Sequence, residues 1–284
     1  GIPLIFGFDV IHGYQTMAPI PLAESASWDM EAIENSSRLA AKEAAAAGLN
    51  WTFAPMVDIS RDARWGRVME GAGEDPYLGS LIAKARVKGF QGDDLSNRFT
   101  IAACAKHFAA YGFSESGREY NTVDIGTSTL YNVVLPPFKA AVDAGARTFM
   151  SSFNDLNGIP ASANYFLFRD ILKDKWNFEG FVVSDWASIK EMINHNYAQD
   201  DIAAARLSVN AGIDMDMESY VYLDYLEQLV EDGTVSMATI NDAVKRMPVS
   251  TESILRLKDE CELVDDELRW IVALIIDTGM RLSE

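Results

Sequence analysis

A carboxylate beside an aromatic residue is the most suggestive feature of the sequence. Asp185 follows the apolar run Phe181–Val183 and precedes Trp186. One interpretation is an N-cap for a helix that starts near Ser188, which is a common role for Asp. The other is a glycosidase nucleophile, a carboxylate held under a sugar ring with an aromatic wall beside it. This segment alone leaves both interpretations open.

Two polar residues, Lys106 and His107, follow the apolar segment Ile101–Ala105. Neighbouring side chains of a strand point to opposite faces, so both can point inward only if the strand is briefly interrupted. With such a break they would form a pair of hydrogen-bond donors for sugar hydroxyls. The alternative is a structural His beside a Lys whose ammonium reaches solvent.

Further charged candidates lie in two loops. The segment Asp58–Asp75 is dense in alternating charges, and we expect most of them to form salt bridges that hold the loop rigid. One Arg that reached the site would suit a hydroxyl-rich ligand, because its planar fork donates two hydrogen bonds at once. Asp9 could accept from two neighbouring hydroxyls, or it could simply cap its own loop.

Short apolar segments alternate with amphipathic ones along the chain, which predicts a parallel sheet flanked by helices. We predict strands at Leu4–Asp9, Thr52–Asp58, Ile101–His107, Thr148–Asn154, Phe181–Asp185 and Ile213–Met217. We predict helices at Met30–Ala47, Ser80–Gln91, Ser128–Ala144, Tyr165–Trp176, Asp201–Ala211, Tyr220–Glu231 and Met237–Met247.

Polar residues end these strands, and the active sites of β/α barrels gather at that face. No G-x-G-x-x-G motif follows the first strand, which argues against a Rossmann fold. We therefore predict an α/β fold, a (β/α)8-type TIM-like barrel. It is expected to be incomplete at the N-terminus, because six strands are counted where a closed barrel has eight.

Charge and composition restrict the partners. The 284 residues carry a formal net charge of -18, which argues against a nucleic-acid or anionic-membrane partner because those surfaces need clustered Lys and Arg. A neutral sugar has no such requirement. No apolar run reaches the roughly 18 residues of a membrane span. Cys104 and Cys261 have no metal-ligand spacing, and no metal or organic cofactor is implied.

Taken together, seven segments resemble glycoside hydrolase family 3, and closely its bacterial periplasmic β-glucosidase branch. They occur in the family's order within residues 1–247: Phe8–Gly13, Ala54–Asp58, Arg64–Arg67, Gly73–Pro76, Lys106–Gly112, Tyr120–Asp124 and Val183–Asp185. The resemblance implies a β-glucosidase-like enzyme with a barrel domain. It also implies a periplasmic or secreted location, which the sequence alone leaves unknown.

The resemblance assigns roles to individual residues. Asp185 corresponds to the nucleophile that forms a covalent glycosyl-enzyme in a retaining reaction, and Trp186 to the residue that packs beside the non-reducing sugar. The positions that hydrogen-bond this sugar correspond to Asp9, Arg67, Lys106 and His107, with Arg118 as a weaker candidate. The substrate would be an oligosaccharide or another β-glucoside or β-xyloside with a terminal non-reducing sugar.

The acid/base residue is the main departure from the family. Its two-domain members take an acid/base Glu from a following α/β sandwich domain, and nothing like that domain is found here. A single-domain branch carries a His in a loop reading K-H-F-P-G-H-G, whereas Lys106–Gly112 reads K-H-F-A-A-Y-G. We therefore expect the acid/base to be absent from this chain, and the alternative function is a non-catalytic carbohydrate-binding remnant.

The last residues have a different resemblance. Helix Met237–Met247 is expected to stop at Pro248, which removes a backbone donor. Asp277–Glu284 is similar to the first-arginine box of tyrosine recombinases, with Arg281 in the position that binds phosphate. The prediction is a barrel domain over residues 1–247 and a helical appendage over residues 248–284. A DNA recombinase is a third hypothesis, which the acidic charge opposes.

Overall fold

The computed structural model describes residues 5–247. These residues form two compact units, an amino-terminal unit of Phe6–Ala161 and a carboxy-terminal unit that begins at Ser162. A short 3₁₀ turn, Ala161–Ala163, contains the division between them. Both units mix helices with short strands, which confirms the predicted α/β class.

Parallel pairing dominates the amino-terminal unit. Strand β1 pairs with β2, β3 pairs with β4, and the bridge between Trp51 and Ala102 links the two pairs, all in parallel. A short antiparallel hairpin, β5 and β6, follows β4. The strands are β1 (Gly7–Phe8), β2 (Trp51–Thr52), β3 (Cys104–Phe108), β4 (Thr148–Ser151), β5 (Asp155–Leu156) and β6 (Ile159–Pro160).

The helices of this unit begin where the sequence supplies caps. Asp29 and Asp75 accept hydrogen bonds from the main chain three residues later and start α2 and α3. Gly89 of α3 lies against α2, and a Cβ there would be 2.4 Å from the Cβ of Ser37. The helices are α1 (Pro21–Ser25), α2 (Met30–Ala46), α3 (Pro76–Gln91), α4 (Thr127–Thr129), a π-helix (Leu130–Val134) and α5 (Leu135–Asp143), with 3₁₀ turns at Val68–Glu70, Tyr111–Phe113 and Glu115–Gly117.

In the carboxy-terminal unit, the strand Phe181–Val183 lies beside the segment that contains Met215. Val183 bridges in parallel to Met215. Lys173 and Asp214 form a fully buried ion pair of 2.6 Å, and Asp214 also accepts a 2.8 Å bond from the main-chain N–H of Val182. The elements are a π-helix (Phe166–Lys175), β7 (Phe181–Val183), α6 (Ser188–Glu191), α7 (Asp201–Ala211), α8 (Val221–Glu231) and α9 (Met237–Arg246).

Several predicted boundaries were wrong. The strands are two to five residues long, shorter than the apolar runs that predicted them. The predicted helix Ser128–Ala144 contains a π-helical segment. In this segment the N–H of Leu135 donates to the carbonyl of Leu130, five residues earlier. Helix α1 and the β5–β6 hairpin were not predicted.

The predicted appendage, residues 248–284, lies outside the described residues. Every helix within residues 5–247 is too short or too polar to cross a membrane.

Candidate active site

The end of β3 carries the first group of predicted site residues. The register of β3 against β4 shifts between Ala105 and Phe108, so the strand has the interruption that two inward-facing neighbours require. Lys106 and His107 are both buried. Lys106 Nζ lies 2.8 Å from Asp9 Oδ1, and 55% of the Asp9 side chain remains exposed. This ion pair therefore joins a buried ammonium to a carboxylate that solvent can reach.

His107 is held by a second buried carboxylate, that of Asp58. Oδ2 of Asp58 accepts a 2.8 Å hydrogen bond from the main-chain N–H of His107 and also lies 2.8 Å from Nδ1 of the same residue. Burial raises the pKa of Asp58 to about 7. Burial, with the nearby charges of Arg67 and Lys106, holds the pKa of His107 well below its ordinary value. The imidazole is therefore neutral at physiological pH.

Arg67 lies in the charged loop and is oriented by two neighbours. Its guanidinium donates to both carboxylate oxygens of Glu70, at 2.7 and 2.9 Å. It also lies 5.7 Å from the ring centroid of Tyr111, within the range of a cation–π contact. The ring of Tyr111 meets that of His107 edge-on, with 5.3 Å between their centroids. Arg67, Tyr111 and His107 thus belong to one contact network.

The two loops that carry these residues are packed closely together. A Cβ at Gly112 would lie 2.2 Å from the carbonyl oxygen of Ile59, and the N–H of Arg61 donates to the carbonyl of Gly112 at 2.9 Å. Only a glycine permits this approach, because any side chain would collide with the main chain. The loop after His107 is therefore fixed against the segment that follows Asp58.

Arg118 is not brought into this network. It is exposed, after the 3₁₀ turn Glu115–Gly117, and its guanidinium forms no ion pair within residues 5–247. The hydroxyl of Tyr111 donates instead to Glu119 in the same loop. Desolvation, followed by this contact with Glu119, raises the pKa of Tyr111 above its ordinary value.

The carboxy-terminal unit holds the other two predicted site residues. Asp185 follows β7, is 9% exposed, and its Oδ1 accepts a 2.7 Å bond from the main-chain N–H of Trp186. Ala187, not Asp185, is the N-cap of α6, and it caps without a side-chain hydrogen bond. The structure thus disfavours the helix-cap interpretation. Trp186 is 45% exposed.

The charge of Asp185 acts on another carboxyl group in the same unit. Burial, and then the charge of Asp185, raise the pKa of Glu191 in α6. Asp214 is a structural residue, because it pairs with Lys173 inside the unit. Across the part of the chain that the structure describes, no cluster of three His, Cys, Asp or Glu side chains could hold a metal ion.

Sequence reasoning missed three contributors to the two groups. Asp58 had been noted only as a polar residue at a strand end and as part of a charged loop, and its contact with His107 could have been suspected from the strand-end pattern. Tyr111 and Glu191 gave no such signal. Each is one polar residue in an otherwise ordinary segment, and its importance comes from burial.

The comparison with protein families identifies one match. Residues 1–249 match the profile described as the Glycosyl hydrolase family 3 N terminal domain. The chain is 44% identical over 265 residues to a "Periplasmic beta-glucosidase" of Salmonella typhimurium, covering 93% of this chain and 34% of that protein. It is 33% identical over 280 residues to a "Beta-xylosidase" of Formosa agariphila, covering 94% of this chain and 38% of that one.

Solved structures agree with these relatives. A β-glucosidase from Listeria innocua, solved in complex with glucose, superposes with a TM-score of 0.85 at 45% identity, over 95% of this chain and 37% of the other. A β-glucosidase from intestinal bacteria involved in saponin metabolism gives a TM-score of 0.83 at 35% identity, over 96% and 37%. The chain thus spans little more than a third of the length of the relatives it matches.

Proposed function

The chain belongs to glycoside hydrolase family 3, as the N-terminal domain of that family, and on this premise we propose that it acts in the hydrolysis of β-linked, terminal non-reducing sugars. The relatives named β-glucosidase and β-xylosidase support a glucoside or xyloside as substrate. The proposal includes the predicted TIM-like barrel over residues 1–247.

The observation that carries this proposal is the placement of Asp185. Its carboxylate is nearly buried, follows the only strand of its unit among the described residues, and stands beside the exposed indole of Trp186. In a retaining reaction the carboxylate attacks the anomeric carbon as the bond to the leaving oxygen breaks, and an acid protonates that oxygen. Water then attacks the same carbon and releases Asp185, while a base removes the proton of the water.

We assign the binding of the ring hydroxyls to the network of the amino-terminal unit. The ion pair of Asp9 and Lys106 offers both an acceptor and donors, His107 offers a ring nitrogen, and Arg67 contributes a guanidinium that Glu70 orients. Such contacts contribute most to catalysis when they strengthen as the ring flattens in the transition state. Arg118 is a weaker part of the proposal, because its guanidinium makes none of these contacts.

The acid/base is proposed to lie outside this chain, in a C-terminal domain of the kind that two-domain family members possess. This proposal is supported by coverage, because the chain matches only 34% and 37% of the length of two relatives. A periplasmic or secreted location is proposed from the relative of Salmonella typhimurium. The likeness of Asp277–Glu284 to tyrosine recombinases stays a prediction, because these residues lie outside both the family match and the described residues.

The test is the release of dinitrophenolate from 2,4-dinitrophenyl β-glucoside, the first turnover included, by Asp185→Asn and by the unmodified chain. This change is nearly isosteric and removes the nucleophile, so activity should fall by at least a hundredfold while the protein stays folded. Asp201→Asn, a change to a half-buried carboxylate of the same unit that pairs with Lys190, should keep full activity. If Asp185→Asn kept more than a few per cent of turnover, Asp185 could not be the nucleophile. No release of dinitrophenolate by the unmodified chain, not even in a first-turnover burst, with glucose affinity retained, would favour the carbohydrate-binding remnant.

A further inference from the structure

Asp58 is a buried carboxylate to which the proposed reaction gives no role. It is 2% exposed, and its Oδ2 serves both the main-chain N–H and the ring of His107. Its other oxygen, Oδ1, is buried and has no hydrogen-bond partner among the described residues. Burial of a carboxylate is costly unless its contacts compensate, so the position of Asp58 beside the buried His107 calls for a function.

The contact determines which ring nitrogen of His107 can accept. A neutral imidazole has one N–H donor and one acceptor nitrogen, and an ionised carboxylate only accepts. With Asp58 ionised, the ring proton must therefore lie on Nδ1, where it is donated to Oδ2. The lone pair is then on Nε2, the nitrogen that points away from Asp58.

We propose that Asp58 is a positioning residue that holds the proton of His107 on Nδ1 and so makes Nε2 an acceptor for a sugar hydroxyl. This inference rests on the proposed function, because it takes His107 to contact the sugar. It also changes the expectation from the sequence, in which Lys106 and His107 were both donors. Lys106 donates and His107 accepts, so the pair would recognise one hydroxyl by its oxygen and another by its proton.

Uptake of one proton by the pair of Asp58 and His107 would exchange the donor and acceptor nitrogens of the imidazole. Burial and the positive neighbours Arg67 and Lys106 oppose an imidazolium at His107, whereas burial raises the pKa of Asp58 to about 7. The proton is therefore taken up by Asp58, whose hydroxyl donates from Oδ2 to Nδ1, and the single ring proton then lies on Nε2. The charged and titratable groups that act on the pair are Arg67, Glu70, Lys106 and, through its ring contact, Tyr111, which is bonded to Glu119.

The direct test is nitrogen NMR of the chain labelled with ¹⁵N-histidine. The sequence has only three His residues, so loss of a signal in His107→Gln assigns the resonances. At pH 8.5 we expect protonated Nδ1 and unprotonated Nε2, and at pH 5.5 the opposite arrangement. Asp58→Asn should keep the first arrangement at both pH values, because the amide oxygen accepts but does not titrate. Asp75→Asn, which retains an N-cap in the same unit, should behave as the unmodified chain does.

Glucose affinity provides the second measurement, made on the same samples. The unmodified chain should lose about threefold to tenfold in affinity between pH 8.5 and pH 5.5, the effect of one net hydrogen bond. Asp58→Asn should lose little. A proton on Nε2 rather than Nδ1 at pH 8.5, with glucose affinity intact, would overturn the role of Asp58 alone. The expected ring states without any glucose affinity would overturn the sugar-accepting role together with the proposed function.

Discussion

Burial gives the individual polar residues of this chain their chemistry. Asp185 stood out in the sequence as a carboxylate after an apolar run and before Trp, a pattern that by itself fits a helix cap as well as a nucleophile. The pairing of Asp58 with His107 had only the strand-end positions of the two residues as a signal, because 49 positions separate them and the parallel arrangement of their segments brings them together. Lys106 and His107 are adjacent in sequence and could be predicted as a pair. Which of them donates and which accepts a hydrogen bond could not be predicted.

The raised pKa of Asp58 also predicts how stability depends on pH. The unfolded carboxyl releases its proton near roughly pH 3.9, whereas the folded one holds it until about pH 7. Its contribution is thus fully present below pH 4 and is lost as the pH rises through 7. The free energy of unfolding of Asp58→Asn should therefore rise relative to the unmodified chain by roughly 2–4 kcal/mol between pH 4 and pH 8.

Urea denaturation at several pH values measures this difference directly. Asp75→Asn is the matched control and should show a constant difference from the unmodified chain. If the free energy of unfolding of Asp58→Asn differed from that of the unmodified chain by the same amount at pH 4 and pH 8, the folded carboxyl of Asp58 would titrate at its ordinary pKa.

The elements explain which parts of the fold were predictable. Long amphipathic helices with clear caps, such as Met30–Ala46 and Asp201–Ala211, were placed within one residue, because periodicity and capping are local signals. Strand lengths were overestimated, because an apolar run shows that a segment is buried but not how many of its residues pair with a neighbour. The π-helical segments were missed because they depend on how each helix accommodates its packing.

One interaction holds the strand that precedes Asp185. Lys173 of the π-helix pairs inside the carboxy-terminal unit with Asp214, which also binds the main chain of β7. Removing one partner leaves a buried charge without compensation, so Lys173→Met should lower the free energy of unfolding by about 3–5 kcal/mol. Urea denaturation at pH 7 measures this loss.

An exposed pair provides the control for Lys173→Met. Lys139 and Asp143 pair across one turn of helix at the surface, so Lys139→Ala should change the free energy of unfolding by less than about 1 kcal/mol. Equal losses in the two variants would show that Lys173 is better solvated than its position implies.

At the scale of the whole molecule, the net charge bears on the substrate and the family match bears on the fold. A net charge of -18 suits a neutral substrate, and the seven segments that resembled family 3 all lie within the 249 matched residues. The family could thus be predicted from ordered motifs. The closure of eight strands into a barrel could not be predicted, because closure depends on the pairing of segments far apart in sequence.

The residues beyond the family match should not contribute to the sugar site. All the proposed site residues lie before position 248, so deleting residues 248–284 should leave glucose affinity within about twofold. The full chain should show no sequence-specific DNA binding at low salt, because counterion release requires clustered basic residues. Calorimetry with glucose and a DNA mobility shift measure these outcomes. A large loss of affinity in a folded deletion variant would make the tail part of the site.

The central claim, that Asp185 is the nucleophile of a retaining glycosidase, is tested most directly by the intact mass of the chain after reaction with 2,4-dinitrophenyl β-glucoside. General acid catalysis is worth about 10² to 10⁴ in rate and matters least for a leaving group that needs no proton. If the acid/base lies outside this chain, the phenolate should leave readily and the glycosyl-enzyme should persist. We predict an added mass of one hexose on Asp185, a burst of phenolate, and release of the sugar by azide, with no adduct in Asp185→Asn. A hexose on another residue, or unchanged mass in a chain that still binds glucose, would contradict the account.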